Sequence, residues 1–324
     1  MKKMFYQPEK YNIKGILKIN LTKELNKTTN EMTTKRENEM AKLKKEELQR
    51  IRSFNGMTAK EWALNSRSVW NDVSSQRKGK HLLHGATYPE KLCDRLIQVY
   101  SKTGDIVLDP FLGTGTTVIS AIKNNRQGIG IELSKKYYDL ALTEIENIKG
   151  LFCKSEFKIH HGDCISTINN IDDDTIQLTL TSPPYADLLH KVAEDRRKRH
   201  KKSAFVLENN STSKPYSDMA GDFGNMTFED YIKSVGELMN SLYRKTKKAG
   251  YNVWVVKDFR DTKNNVPYVD LHTTIAAAGK AAGFSYHDLI IWDQNEQRSL
   301  VVLGYPSTFY MNQNHSFIVI LRKA

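Results

Sequence analysis

The chain of 324 residues is poor in cysteine, in proline and in long apolar runs. Its three cysteines, Cys93, Cys153 and Cys164, are an odd number and form no C-x-x-C pair. That excludes a disulfide framework and a zinc-finger spacing. Nowhere do about 18 apolar residues run uninterrupted, so no segment reads as a membrane span. The opening Met-Lys-Lys-Met-Phe-Tyr-Gln-Pro lacks the apolar run of a signal peptide. These absences predict a cytoplasmic protein with reduced thiols and no membrane contact. Apolar residues make up only 39% of the chain and charged ones 27%, which suits an ordinary core carrying a polar arm. There is no internal repeat.

Acids are outnumbered: 49 Lys and Arg face 37 Asp and Glu, a net charge of +12. Such a balance fits a polyanionic partner, nucleic acid first and an anionic membrane second.

Taken in order, Ile13–Leu21 reads as a short strand. From Thr22 to Arg52 the chain is Lys/Glu-rich without Gly or Pro, a strong helix composition. Met40, Leu43, Leu48 and Ile51 give it a thin apolar stripe. That suits a solvated helix packed by one face, a dimerisation helix or a DNA-gripping arm. Pro89 is well placed to open a helix that runs to Gly104. Strands are expected at 105–110, 128–132, 157–160, 176–182, 252–256, 289–292 and 315–321, with helices at 118–124, from Ser134 onward, 228–248 and 271–282. Strands alternating with helices predict a mainly parallel sheet covered on both faces. Residues 186–228 show little periodicity. Within Lys191–Lys202, seven basic residues (Lys191, Arg196, Arg197, Lys198, Arg199, Lys201, Lys202) face two acids. A loop this long inside a compact domain carries function or is disordered.

The chemistry gathers at strand ends. Phe111-Leu-Gly-Thr-Gly-Thr-Thr117 joins a strand to a helix, and glycines there let backbone approach a ligand. The loop lacks the third glycine of a dinucleotide fingerprint and the lysine of a phosphate loop, so it does not read as an NTPase. Its hydroxyls suit a ligand carrying a carboxylate and an amine. Glu132 ends the next strand, 17 residues beyond Gly115, where an acid can accept both hydroxyls of a ribose. The bland alternative is a glutamate capping the helix at Ser134. Asp163 is placed to accept from an adenine amino group, or else is a turn aspartate. Thr179-Leu-Thr-Ser-Pro-Pro-Tyr185 reads as a buried strand running into a rigid turn. Its two prolines fix φ twice and leave carbonyls free to accept hydrogen bonds.

Asp-Pro-Phe-Leu-Gly-Thr-Gly-Thr-Thr at 109–117, Gly-Ile-Gly-Ile-Glu at 128–132 and Thr-Ser-Pro-Pro-Tyr at 181–185 together resemble the S-adenosylmethionine-dependent amino-group DNA methyltransferases. Tyr-Pro-Glu-Lys-Leu at 88–92 is similar to the family segment that closes over the methionine end of the cofactor. The match covers 65–185 clearly and 228–323 diffusely. It implies a class I, Rossmann-like α/β fold with a seven-stranded, mostly parallel, doubly wound sheet. The domains would be an N-terminal helical arm at 1–64 and a methyltransferase domain at 65–324, with the basic insert at 186–228 gripping DNA. Cofactor contacts implied are Tyr88, Pro89 and Lys91; Asp109, Pro110, Phe111, Gly113, Gly115, Thr116 and Thr117; Glu132 and Leu133; and Asp163 and Cys164. Here the cofactor segments precede Ser-Pro-Pro-Tyr, whereas many members with Ser at that position have the permuted order. The same fold with a different chain start is expected.

The resemblance also implies the reaction. Members with Ser before the double proline are mostly similar to cytosine-N4 enzymes, and those with Asp or Asn to adenine-N6 enzymes. Ser182 therefore favours cytosine in double-stranded DNA. Ser182, Pro183, Pro184 and Tyr185 would form the catalytic turn, with Tyr185 stacked on a flipped base. A role in restriction-modification, beside a cognate endonuclease, or a solo or phage role would follow. Alternatives are an adenine-N6 enzyme, an RNA methyltransferase and a non-catalytic DNA-binding subunit. Cytosine-C5 chemistry fails for want of a Pro-Cys pair. No metal is expected: the chemistry needs none, and the histidines at 81, 84, 160 and 161 read as structural or phosphate-facing.

Overall fold

The computed structural model describes residues 13–73, 89–152, 155–184, 219, 221–261, 266–297 and 309–324. The chain divides into two compact units, Met1–Thr58 and Ala59–Ala324. In the first, α1 (Ile13–Arg52) is one continuous helix. The strand expected at Ile13–Leu21 is therefore helical. Its local alternation of Leu17, Ile19 and Leu21 is overridden by the helix-forming run that continues it, since propagation adds one hydrogen bond per residue fixed.

In the second unit, eight strands of the described residues form one sheet in the order β1-β9-β10-β6-β5-β2-β3-β4. They are β1 (Val69–Trp70), β2 (Ile106–Asp109), β3 (Gln127–Glu132), β4 (Phe157–His161), β5 (Ile176–Thr181), β6 (Thr246–Val256), β9 (Ser285–Asp293) and β10 (His315–Arg322). β4, β3, β2, β5 and β6 are mutually parallel, and β10 runs antiparallel between β6 and β9. This is the mostly parallel class I sheet expected, with one strand more. The addition, β1, pairs only Val69 and Trp70 with Ile291 and Trp292, too short to leave a periodic signal. A separate ribbon pairs β7 (Phe259–Asp261) with β8 (Val266–Val269).

The helices are α2 (Ala59–Asn65), α3 (Glu90–Tyr100), α4 (Thr116–Lys123), α5 (Lys135–Phe152), the single turn α6 (Cys164–Thr167), α7 (Phe228–Lys245) and α8 (Leu271–Ala281). Both faces of the sheet are covered. Ile131, Leu108, Trp254, Val256 and Val319 pack against α6, α7 and α8. Phe157 and Ile159 pack against α4 and α5 on the other side. β5 is consequently buried at every position, including Gln177 and Thr179. The Gly-Ile-Gly-Ile pattern of β3 follows from the same layering. A Cβ on Gly128 would lie 2.7 Å from Val118 Cγ1, and one on Gly130 would lie 2.7 Å from Leu112 Cδ1. Glycines therefore admit α4 and its loop on one face, while Ile129 and Ile131 fill the other. Among the described residues, no helix is long and apolar enough to cross a membrane.

Candidate active site

Parallel strands present their C-terminal ends together, and here those ends surround one cavity of about 810 Å³, mouth included. The loop after β2 (Asp109, Pro110, Phe111, Gly113, Thr116, Thr117), the end of β3 (Glu132, Leu133), the turn after β4 (Asp163, Cys164) and the turn after β5 (Ser182, Pro184) all line it. The buried Pro183 lies between the last two of these but does not line the wall.

Asp109 ties the loop together. It is 2% exposed, and its Oδ1 accepts from Phe111 N at 3.0 Å and from Thr181 Oγ1 at 2.7 Å. Its Oδ2 accepts from Thr117 Oγ1 at 2.6 Å. One carboxylate thus joins β2, the first turn of α4 and the last residue of β5. Gly113 and Gly115 adopt φ of +56° and +90°, which only glycine takes without strain. Gly115 caps α4 from outside the cavity wall. Thr114 lines the cavity, and its buried Oγ1 has no hydrogen-bond partner among the described residues.

Glu132 takes the helix-start role that the sequence offered as one alternative, and it also lines the cavity. Its Oε1 accepts from Ser134 N at 2.8 Å and its Oε2 from Gly113 N at 2.7 Å, so it braces both the helix start and the glycine loop. Each oxygen retains capacity to accept a second hydrogen bond. Burial pushes its carboxyl up from 4.5 to about 7; the two N–H bonds oppose the shift, and Asp109 and Asp222 add to it. Asp163 caps α6 by accepting from Ser166 N at 2.9 Å, and it too lines the cavity. The Cys164 thiol is pushed up by burial and remains protonated.

The sequence reading missed one wall. Gly221, Asp222 and Phe223, near the C-terminal end of the 186–228 insert, close the cavity. A Cβ on Gly221, at φ +94°, would lie 3.4 Å from Asp163 Oδ1. Phe223 packs edge-on against Phe111, with ring centroids 5.0 Å apart. A glycine before Asp-Phe was the available signal, but it stood outside any periodic segment. Of the other expected contacts, Pro89 caps α3, Lys91 is exposed, and neither lines the cavity. Tyr88, Tyr185 and the basic residues from Lys191 to Lys202 lie outside the described residues.

Asp109, Glu132, Asp163 and Asp222 give the cavity four carboxylates and, among the described residues, no lining cation. Such a wall repels phosphate and accepts hydrogen bonds. It fits a ligand rich in donors: ribose hydroxyls, an exocyclic amine, an ammonium or another cation. Among the described residues, one further cluster, Asp258, Asp270 and His272, has metal-ligand composition. Its Asp258 oxygens are already filled by Tyr268 Oη, Leu271 N and His272 N, at 2.9 to 3.1 Å. That makes it a helix cap, and no metal role is assigned to it.

A family model described as DNA methylase matches residues 3–143. Over 64 residues the chain is 50% identical to the orphan methyltransferase M.BamHII of Bacillus amyloliquefaciens, a stretch covering 20% of this chain and 24% of that protein. Over 68 residues it is 56% identical to the Type II methyltransferase M.MjaI of Methanocaldococcus jannaschii, covering 21% and 22%. The chain thus spans about a quarter of the length of the curated relatives it matches. Among solved structures, a SAM-dependent methyltransferase of Methanosarcina mazei aligns with a TM-score of 0.41 at 13% identity, over 70% of this chain and 96% of the other.

Proposed function

We propose that this chain, similar over its first 143 residues to DNA methylases, moves a methyl group from S-adenosylmethionine to the exocyclic N4 of a cytosine turned out of duplex DNA. One observation carries the reading. The donor-accepting cavity and the Ser-Pro-Pro turn share a wall, so a cofactor held by the first would face a base held by the second.

The residues fit the cofactor. Glu132 keeps acceptor capacity for ribose hydroxyls, Asp163 for an adenine amine, and the unpartnered Thr114 hydroxyl for a polar group of the amino-acid end. When bound, S-adenosylmethionine supplies an electrophilic sulfonium methyl. The chain's own contribution is positioning. An exocyclic amine donates its lone pair into the ring and is a weak nucleophile. Ser182 Oγ and the Pro183 carbonyl would accept its two N–H groups, hold the nitrogen pyramidal and free that pair. Two prolines stiffen the turn, and Thr181, bonded to Asp109, fixes its base. Tyr185 would stack on the ring.

The test is transfer of labelled methyl to duplex DNA, followed by mass spectrometry of the nucleosides. N4-methylcytosine is expected. N6-methyladenine alone would overturn the choice of base, which rests on Ser182. Transfer to tRNA but not to duplex would overturn the choice of substrate. Calorimetry showing no S-adenosylmethionine binding would leave a non-catalytic DNA-binding subunit.

A further inference from the structure

The ribbon β7–β8 leaves the sheet at the end that carries the cavity. β6 runs parallel beside β5 with Trp254 level with Thr181, so the chain of β6 passes the Ser-Pro-Pro turn one strand away. Arg260, six residues beyond Trp254, stands on the ribbon's first strand, at most about 20 Å further along.

Arg260 is half-buried, with its Nε covered, and is held against aromatic rings. Its guanidinium carbon lies 5.0 Å from the centroid of the Tyr310 ring and 5.8 Å from that of Tyr268. Tyr268 is itself pinned, since its hydroxyl donates to Asp258 Oδ2 at 2.9 Å and Asp258 is 1% exposed. Among the described residues no carboxylate pairs with Arg260, and its Nε has no hydrogen-bond partner. A guanidinium flanked by two rings keeps its charge and loses little freedom when it meets an anion, while its planar fork suits phosphate oxygens. On either side of Tyr310 in sequence, Phe309 and Met311 are 74% and 83% exposed. A pre-set cation among exposed apolar side chains fits a nucleic-acid backbone better than a protein core. A two-stranded ribbon also has the width of a DNA groove.

We propose that Arg260 grips a backbone phosphate of duplex DNA near the turned-out base, making the β7–β8 ribbon a DNA-contacting element distinct from the basic insert. This rests on the DNA reading above. The inference is tested by fluorescence anisotropy on a duplex oligonucleotide across a salt series, with the full-length chain, Arg260→Gln and Arg260→Lys. Arg260→Gln should weaken binding about tenfold at low salt and flatten the salt slope by about 0.9, the value of one phosphate contact. Arg260→Lys should keep the slope, and the dissociation constant for S-adenosylmethionine should be the same in all three. If Arg260→Gln binds duplex with unchanged affinity and slope while melting at a lower temperature, Arg260 only staples the rings and the inference falls alone. If the unaltered chain fails to bind duplex, the DNA reading falls with it. A preference for tRNA over duplex that depends equally on Arg260 would overturn duplex DNA as the partner.

Discussion

Thr181 Oγ1 donates to Asp109 Oδ1 at 2.7 Å, joining the last residue of β5 to the last residue of β2 across neighbouring strands. The bond sits one residue before Ser182, so the acid that orders the glycine loop also anchors the proposed catalytic turn. Thr181→Val keeps the shape and removes the donor. It should cost about 1–3 kcal/mol of stability by denaturant unfolding, because a buried carboxylate loses a hydrogen bond. The turnover rate should fall more than the affinity for S-adenosylmethionine. Unchanged turnover would mean that the prolines alone hold the turn.

Glu132 should make cofactor binding depend on pH. Its folded-state pKa is raised from 4.5 to about 7. In the free protein, its contribution to stability is full below 4.5 and is lost as pH rises through about 7. Accepting ribose hydroxyls instead favours the carboxylate, so binding should tighten toward about pH 7, by up to tenfold per unit, and level off above. Calorimetry from pH 5.5 to 8.5 would trace this. Glu132→Gln should weaken binding above pH 7 and abolish the slope. The same slope in that variant would assign the titration to another group.

Two glycines separate strain from site. Gly115 and Gly104 both hold positive φ, +90° and +85°. A Cβ at Gly104 meets nothing within 4 Å, whereas one at Gly115 lies 3.3 Å from Ala141 Cβ. Replacing either with Ala should destabilise by about 1 kcal/mol or more in thermal melts. Only Gly115→Ala should also impair S-adenosylmethionine binding, because it tilts the loop that faces the cavity.

Tyr185→Ala should reduce methyl transfer far more than cofactor binding, since the ring is assigned to the base. Equal losses would make the ring a structural part of the cofactor pocket. Neutralising Arg196, Arg197, Lys198 and Arg199 together should weaken duplex binding and flatten its salt dependence. An intact slope would place the DNA elsewhere on the chain.

Much of this was legible in residue order. β2, β3, β5 and β6 are short apolar runs buried on both faces, and such runs stand out between glycines and helices. Glu132's place at the cavity was legible from its distance past Gly115, although the hydrogen bond it accepts from Gly113 N was not, because a backbone N–H leaves no mark in sequence. The β7–β8 ribbon escaped because Phe-Arg-Asp offers three residues and no period. Asp222 and Phe223 escaped because they sit in the aperiodic 186–228 stretch and meet the cavity only in space. The strand reading of Ile13–Leu21 failed because two-residue alternation is weak evidence beside a helix former that runs on through Arg52.

Asp258 caps α8 from 13 residues away, accepting from Leu271 N at 3.0 Å and His272 N at 3.1 Å. The ribbon between them is therefore a loop closed at its base, with Phe259 and Val269 at its foot buried in the core and the chain between those two free to vary in length. Doubling such a loop costs only about 0.6 kcal/mol in closure entropy. Segments of other lengths and sequences inserted between Phe259 and Val269 would leave that core in place, so the tip can change its surface chemistry while the frame stays fixed.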